Sequence, residues 1–308
     1  MTVRAFCSRV PMARTLDHCV LPTGSLATAR ERLLALGFIV APDAAHPFGT
    51  GNCCVFFQNG SYLEPLSVID PAAASLAAEE GNVFVARDAA FRAALGDEGF
   101  SAVVLGTHDA EADHERFVAM GASGGQPLEF SRPFRNADGT EAMASFRLAF
   151  ATPEPAAPCF FFTCQRVNAL KVDRAALEAH ANGVTGIRRI VMLASAPERH
   201  IAFLQHFSGQ SAQRSEHGVD VRLANADLSA QTPDAFEATY GVVPQAAHIG
   251  LNGTGLAHVA IVFEVPTLGV LRDLLATSQA GFFERMGRIV VPTAAGQGAL
   301  FIFEEISA

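Results

Sequence analysis

The sequence predicts an α+β fold built from four βαβββ modules, and three observations carry that expectation. Residues 16–70 alternate apolar and polar, break, run at helical spacing, then return to short alternating stretches. Asn59-Gly60 joins the last two of these stretches, and Asn-Gly is the strongest short hairpin signal. The same order of strand, helix and strands then recurs along the 308 residues, and a repeat of this length marks copies of one supersecondary unit.

Leu16-Asp17-His18-Cys19-Val20-Leu21 reads as a strand with His18 and Val20 on one face and Asp17, Cys19 and Leu21 on the other. Pro22-Thr23-Gly24 ends it, and Ser25 is placed to cap the next helix. Leu26, Ala29, Leu33 and Leu36 form that helix's apolar stripe, and Gly37 supplies its stop. Strands are expected around Phe38–Val40, Asn52–Gln58 and Tyr62–Val68. Pro71 opens an Ala-rich helical connector over 71–99, with Phe84, Phe91 and Leu95 as its apolar face.

The second module reads as a strand over 101–107, a helix over 109–121 and strands around 127–134, 142–150 and 159–165. Asn136-Ala137-Asp138-Gly139 has turn chemistry between the middle pair. The third gives a strand at 186–194, a helix at 196–209, strands around 218–225 and 227–233, and a short helix at 234–241. The fourth gives a strand at 255–265, a helix at 266–279 and strands at 287–292 and 298–306. The organisation expected is an extension over 1–14, a first half over 15–180 and a second half over 181–308.

Composition narrows the function classes. Hydrophobic residues make up 50% and charged residues 17%, with 24 Phe and no Trp, which is ample core material. A net charge of −9 argues against a nucleic-acid partner, since phosphate binding needs a basic face. No apolar run is long enough to span a bilayer. Six cysteines without regular spacing, and an N-terminal stretch lacking the apolar segment of a secretory signal, lead us to expect a cytoplasmic protein with reduced thiols.

The residues LDH at 16–18, ALGF at 35–38, HPFGTGN at 46–52 and YLEPL at 62–66 together resemble a glyoxalase-like domain. Such domains belong to the vicinal oxygen chelate superfamily, which also holds bleomycin-resistance proteins and extradiol dioxygenases. The resemblance implies paired modules curled into two half-barrels, each around a metal or substrate cavity. It also implies a metal ligand on a module's first strand and another, usually Glu, on its last.

Module one has both, His18 and Glu64, 46 positions apart. Module four has His258, with Glu304 also 46 positions on, although aligning Gly298 with Gly60 sets Ile302 opposite Glu64. Modules two and three have Ala102 and Arg189 at the first-strand position. Pairing the first module with the last, as in monomeric four-module glyoxalase I enzymes, would gather His18, Glu64, His258 and Glu304. Pairing one with two and three with four would leave each cavity at most two ligands. Imidazole with carboxylate suits Zn, Fe, Ni or Mn.

The expected function is therefore the handling of a small oxygenated metabolite by metal-assisted lyase, isomerase or dioxygenase chemistry. A metal-free protein that binds and sequesters a small molecule is the alternative. His46, on a loop shaped by Pro47, Gly49 and Gly51, is a candidate general base beside Glu64. Asn52 and Tyr62 are candidates for hydrogen bonds to a ligand. Arg132, Arg135 and Arg147 could clamp an acidic one, with an outward pairing to Glu129 or Glu141 as the bland reading. A homodimer is also compatible with the sequence.

Overall fold

The computed structural model describes residues 13–135, 141–168, 174–243 and 255–306. The expected turn at 136–139 and residues 1–12 of the expected extension lie outside them.

Module one runs β1 (Leu16–Pro22), α1 (Leu26–Ala35), β2 (Ala44–Ala45), β3 (Thr50–Asn52), β4 (Val55–Phe56) and β5 (Tyr62–Val68). The connector is two helices, α2 (Pro71–Glu79) and α3 (Val83–Leu95). Module two follows with β6 (Ala102–Gly106), α4 (Ala110–Ala119), β7 (Leu128–Arg135), β8 (Glu141–Ala151) and β9 (Phe160–Arg166). Module three is β10 (Gly186–Leu193), α5 (Ile201–Ser208), β11 (Ala212–Ser215), β12 (Gly218–Arg222), β13 (Asp227–Gln231) and α6 (Pro233–Tyr240). Module four is β14 (Ala257–Val265), α7 (Leu268–Ser278), β15 (Phe283–Arg285), β16 (Arg288–Val291) and β17 (Leu300–Glu305).

Local chemistry explains the boundaries. Ser25 accepts from the Thr28 N–H at the start of α1, and Asp70, Asn82, Asp109 and Thr232 cap α2, α3, α4 and α6 in the same way. At Asn59-Gly60 the side-chain Oδ1 of Asn59 accepts from the Ser61 backbone N–H and hydroxyl, and Gly60 takes φ +85°. That turn sets Phe56 opposite Tyr62 and fixes which β5 residues share a face.

The strands form two mixed sheets. One is ordered β2-β3-β5-β1-β6-β9-β8-β7, with β4 also on β5; the other is β11-β12-β13-β10-β14-β17-β16-β15. First strands meet antiparallel at each centre, β1 with β6 and β10 with β14. Modules therefore pair one with two and three with four, the second of the two pairings the sequence left open.

The apolar faces are divided sharply. Leu16, Cys19, Leu21, Val103 and Phe161 point to one side, into a core continuous with Ile190, Ile261, Phe263 and Phe301 of the other sheet. Phe38 lies in that core against Phe263 and Phe301, at 5.5 and 6.1 Å, so the expected strand at 38–40 is instead a loop joining the halves. His180, at the end of the first half, is tied back to module one, Nδ1 accepting from the Ile39 N–H and Nε2 donating to the Phe56 carbonyl, both at 2.9 Å. Val20, Leu66, Val104 and Phe162 point to the opposite, inner side of the first sheet, where Phe84 and Val85 of α3 cover part of it.

The second sheet's inner face is filled. Phe236 and Tyr240 of α6 pack on Val191, Val259, Val262 and Ile302. The first sheet keeps an open cleft.

Candidate functional site

Inside the first sheet, module one supplies the polar groups and module two the apolar wall. His18 and Val20 of β1 lie beside Tyr62 and Glu64 of β5 in parallel register, so His18 and Glu64 share the inner face. The cleft they floor is about 420 Å³, counting the open space at its mouth. Phe130 and Arg132 of β7, Phe146 and Leu148 of β8, and Phe162 and Cys164 of β9 line the far side.

One feature of β1 departs from simple alternation. Leu16 pairs with Leu105 but His18 pairs with Val104, so Asp17 is the extra residue of a β-bulge. The bulge returns Asp17 to the His18 side, where its Oδ1 accepts from His18 Nδ1 at 2.7 Å. Asp17 was expected on the opposite face and is buried beside the imidazole instead. Arg166, at the end of β9, donates Nη2 to both Asp17 oxygens at 2.9 and 2.8 Å. Tyr62 stacks on the His18 ring, centroids 4.5 Å apart, and Phe162 meets it edge-on at 5.7 Å.

On its other side His18 Nε2 faces Glu64 Oε2 at 3.2 Å. The second Glu64 oxygen accepts from Asn52 Nδ2 at 2.6 Å and lies 3.6 Å from His46 Nε2. Asn52 Nδ2 also reaches His46 Nε2 at 3.3 Å, and His46 Nδ1 meets Thr50 Oγ1 at 2.9 Å. In the tautomer this network favours, Nδ1–H donates to Thr50 and Nε2 accepts from the Asn52 amide. The loop carrying His46 is docked by Gly49, whose φ is +82° and whose added Cβ would stand 2.5 Å from Ala74 N and Asp70 O.

These contacts set the protonation states. Burial alone would push the Glu64 carboxyl up, but the His18 proton and the Asn52 amide hold it at about 2. Burial works against charge on His18, yet Asp17 and Glu64 on its two nitrogens raise its pKa above the ordinary value. Asp17 is drawn down against its burial by His18 and Arg166. His46 goes the other way, since burial, aided by Arg132, lowers it to about 4 despite Glu64. The site thus holds a carboxylate drawn down, one imidazole drawn up between two carboxylates and a second imidazole pushed down by burial, all in one apolar-walled cleft.

The remaining expected site residues lie elsewhere. His258 is on the outer side, its ring 4.9 Å from Phe100 and 4.8 Å from Phe161. Adjacent β9 residues point to opposite faces, so the ring touching Phe161 is across the sheet from the His18 ring touching Phe162. Glu304 is in the second sheet, ion-paired with Arg288 and Arg188. Arg147 is turned outward and paired with exposed Glu129 at 2.9 Å. The Arg135 side chain is outside the described residues. The expected gathering of His18, Glu64, His258 and Glu304 is therefore corrected: only His18 and Glu64 meet.

That outcome bears on a metal. Among the described residues, no three His, Cys, Asp or Glu side chains converge as a metal cage requires. His18 and His46 approach different oxygens of Glu64. Opposite them module two lines the cleft with Phe162, Leu148, Arg132 and the Cys164 thiol, and with no His or carboxylate. The donor set present does not fit a resident divalent ion.

With the fold and site in place, the class of protein follows. A glyoxalase-like domain model matches residues 16–208, more than half of the chain, and the chain belongs to that family. No curated protein sequence matches it. Among solved structures it is similar to a hypothetical protein from Staphylococcus aureus, at TM-score 0.64 and 12% identity over 94% of this chain and 99% of that one. It is also similar to a mutant 4-hydroxymandelate synthase from Streptomyces coelicolor, at TM-score 0.61 and 15% identity over 96% and 93%. At these identities the likeness concerns the fold. No helix among the described residues is long and apolar enough to cross a membrane.

Proposed function

We propose that the protein is an enzyme that moves protons on a small oxygenated metabolite held in the first half-barrel cleft. The observation that carries this reading is the His18–Glu64 pair, buried, 3.2 Å apart and flanked by a neutral His46. Buried titratable groups pushed in opposite directions within one cleft are the usual mark of acid–base machinery. A substrate carbonyl entering between His18 and Glu64 would meet the imidazolium proton and be polarised by it. The same entry removes the strongest partner of Glu64, and burial then drives that carboxyl upward into the range of a working base. Asp17, held by Arg166, is a positioning residue that fixes the His18 ring through Nδ1. Isomerisation or elimination beside a carbonyl is the reaction class this arrangement serves.

The test is hydrogen exchange in D₂O, with proton NMR following a panel of small oxo acids, hydroxy ketones and aldehydes. Loss of the proton next to a carbonyl is expected with wild type, slowed about 10²–10⁴-fold in His18→Gln. Exchange at the background rate across the panel, or wild-type exchange in His18→Gln, would overturn the proposal.

A further inference from the structure

The two carboxylates at the first cleft are already engaged, Asp17 with Arg166 and His18, and Glu64 with His18 and Asn52. Arg132 is a further charge on the lining of a space walled by rings, and beside such an apolar wall a charge selects the sign of what enters.

Arg132 is placed to act on that selection. It follows Phe130 at the inward-facing spacing of β7, with its guanidinium 5.9 Å from the Phe146 ring centre. Arg166, by contrast, is committed to both oxygens of Asp17. A guanidinium at the lining of an apolar cleft presents a planar fork of donors that matches a carboxylate. Around it the rings meet at steep angles, Phe48 with Phe130 at 78° and Phe84 with Phe162 at 84°. Rings set at steep angles to one another form a wall on which a flat guest can pack edge-on or face-on.

We propose that the ligand of this cleft is a monocarboxylate with a flat apolar or aromatic body, its carboxylate held by Arg132 and its body against the Phe wall. The inference rests on the first cleft being the working site, and its test reads binding rather than turnover.

The test is calorimetric titration of the full chain with phenylacetate, phenylacetamide and 2-phenylethylammonium, which share a body and differ in charge. Wild type is expected to bind the acid at least about tenfold more tightly than the amide, and the ammonium least. Arg132→Gln is expected to lose the preference for acid over amide, and Arg132→Lys, which keeps the charge, to retain part of it. Amide or ammonium binding as well as the acid would overturn the proposal. So would a preference for acid that survives in Arg132→Gln, or no saturable binding of the acid. Unchanged thermal melting of the two variants guards against misfolding, and if Arg132→Gln melts early the decision passes to Arg132→Lys and the wild-type ranking. Acid binding without hydrogen exchange would sink the reaction and leave the ligand class standing. Exchange confined to neutral carbonyl compounds would do the reverse.

Discussion

Replacing Glu64 by Gln removes one charge from the site and keeps its shape. Gln presents a carbonyl oxygen to the Asn52 amide, which stands 2.6 Å away in the wild type, and an NH₂ group to His18 Nε2. That nitrogen can then only accept, so His18 becomes neutral with its one proton on the Asp17 side. A carboxyl held at about 2, rather than near 4.5, draws about 3 kcal/mol from its partners at neutral pH. Because the folded value is depressed, that contribution is present above pH 4.5 and lost as pH falls through about 2. Gln keeps the hydrogen bonds and loses the charge, so a destabilisation of about 1–3 kcal/mol is expected in urea unfolding at pH 7. His18 changes with the opposite sign. Its raised pKa contributes stability below pH 6.5 that is lost as pH climbs through the folded value, and Glu64→Gln should move that midpoint down. Nitrogen-15 NMR of the imidazole reads it directly. A His18 midpoint that stays put or rises in Glu64→Gln would refute the pairing on which the electrostatics rest.

Other perturbations test separate parts of the structure. His258 and His46 are buried neutral at about 3 and about 4, so each costs stability as pH falls below 6.5 toward those values. For His258 the full loss is up to about 5 kcal/mol, and His258→Leu should flatten the acid limb of a pH–stability curve; an unchanged limb would contradict its buried setting. Gly49→Ala combines a left-handed φ with a Cβ 2.5 Å from backbone atoms, and a loss of at least about 2 kcal/mol in denaturant unfolding is expected. Asp17→Asn should lower the His18 midpoint by NMR while leaving the fold intact, and no shift would contradict the Asp17 contact as a support of the His18 proton. Arg147→Ala, on the outer face, should leave melting temperature and ligand binding as they are.

Much of the fold was legible because the signals were local. Ser25, Asn59-Gly60 and the alternation of Tyr62 to Val68 each act within a few residues, and together they put His18 and Glu64 on one face. What failed was information carried by distant pairing. His258 matches His18 by position in its module, but position cannot say which modules share a sheet. The β1·β6 and β10·β14 ladders put the two histidines in different sheets, with the His258 ring against Phe161 on the outer side. Asp17 was hidden by the bulge, since strict alternation turns it away from His18. Arg166 could have been found, because Phe162, Cys164 and Arg166 share one parity along β9. The same test separates Arg132 from Arg147: Phe130 and Phe146 face the cleft, so Arg132 falls on their side and Arg147 on the other. β11 and β15 are short and largely exposed, with no alternation to announce them.

The most direct measurement is the rate of solvent-deuterium incorporation by wild type, Glu64→Gln and Glu304→Gln on whichever carbonyl acid binds best. Glu304 serves as the control carboxylate, ion-paired in the filled second half. Loss of exchange in Glu64→Gln alone is the result expected if the first cleft carries the proton transfer. Equal exchange in wild type and Glu64→Gln, or loss confined to Glu304→Gln, would place the chemistry elsewhere.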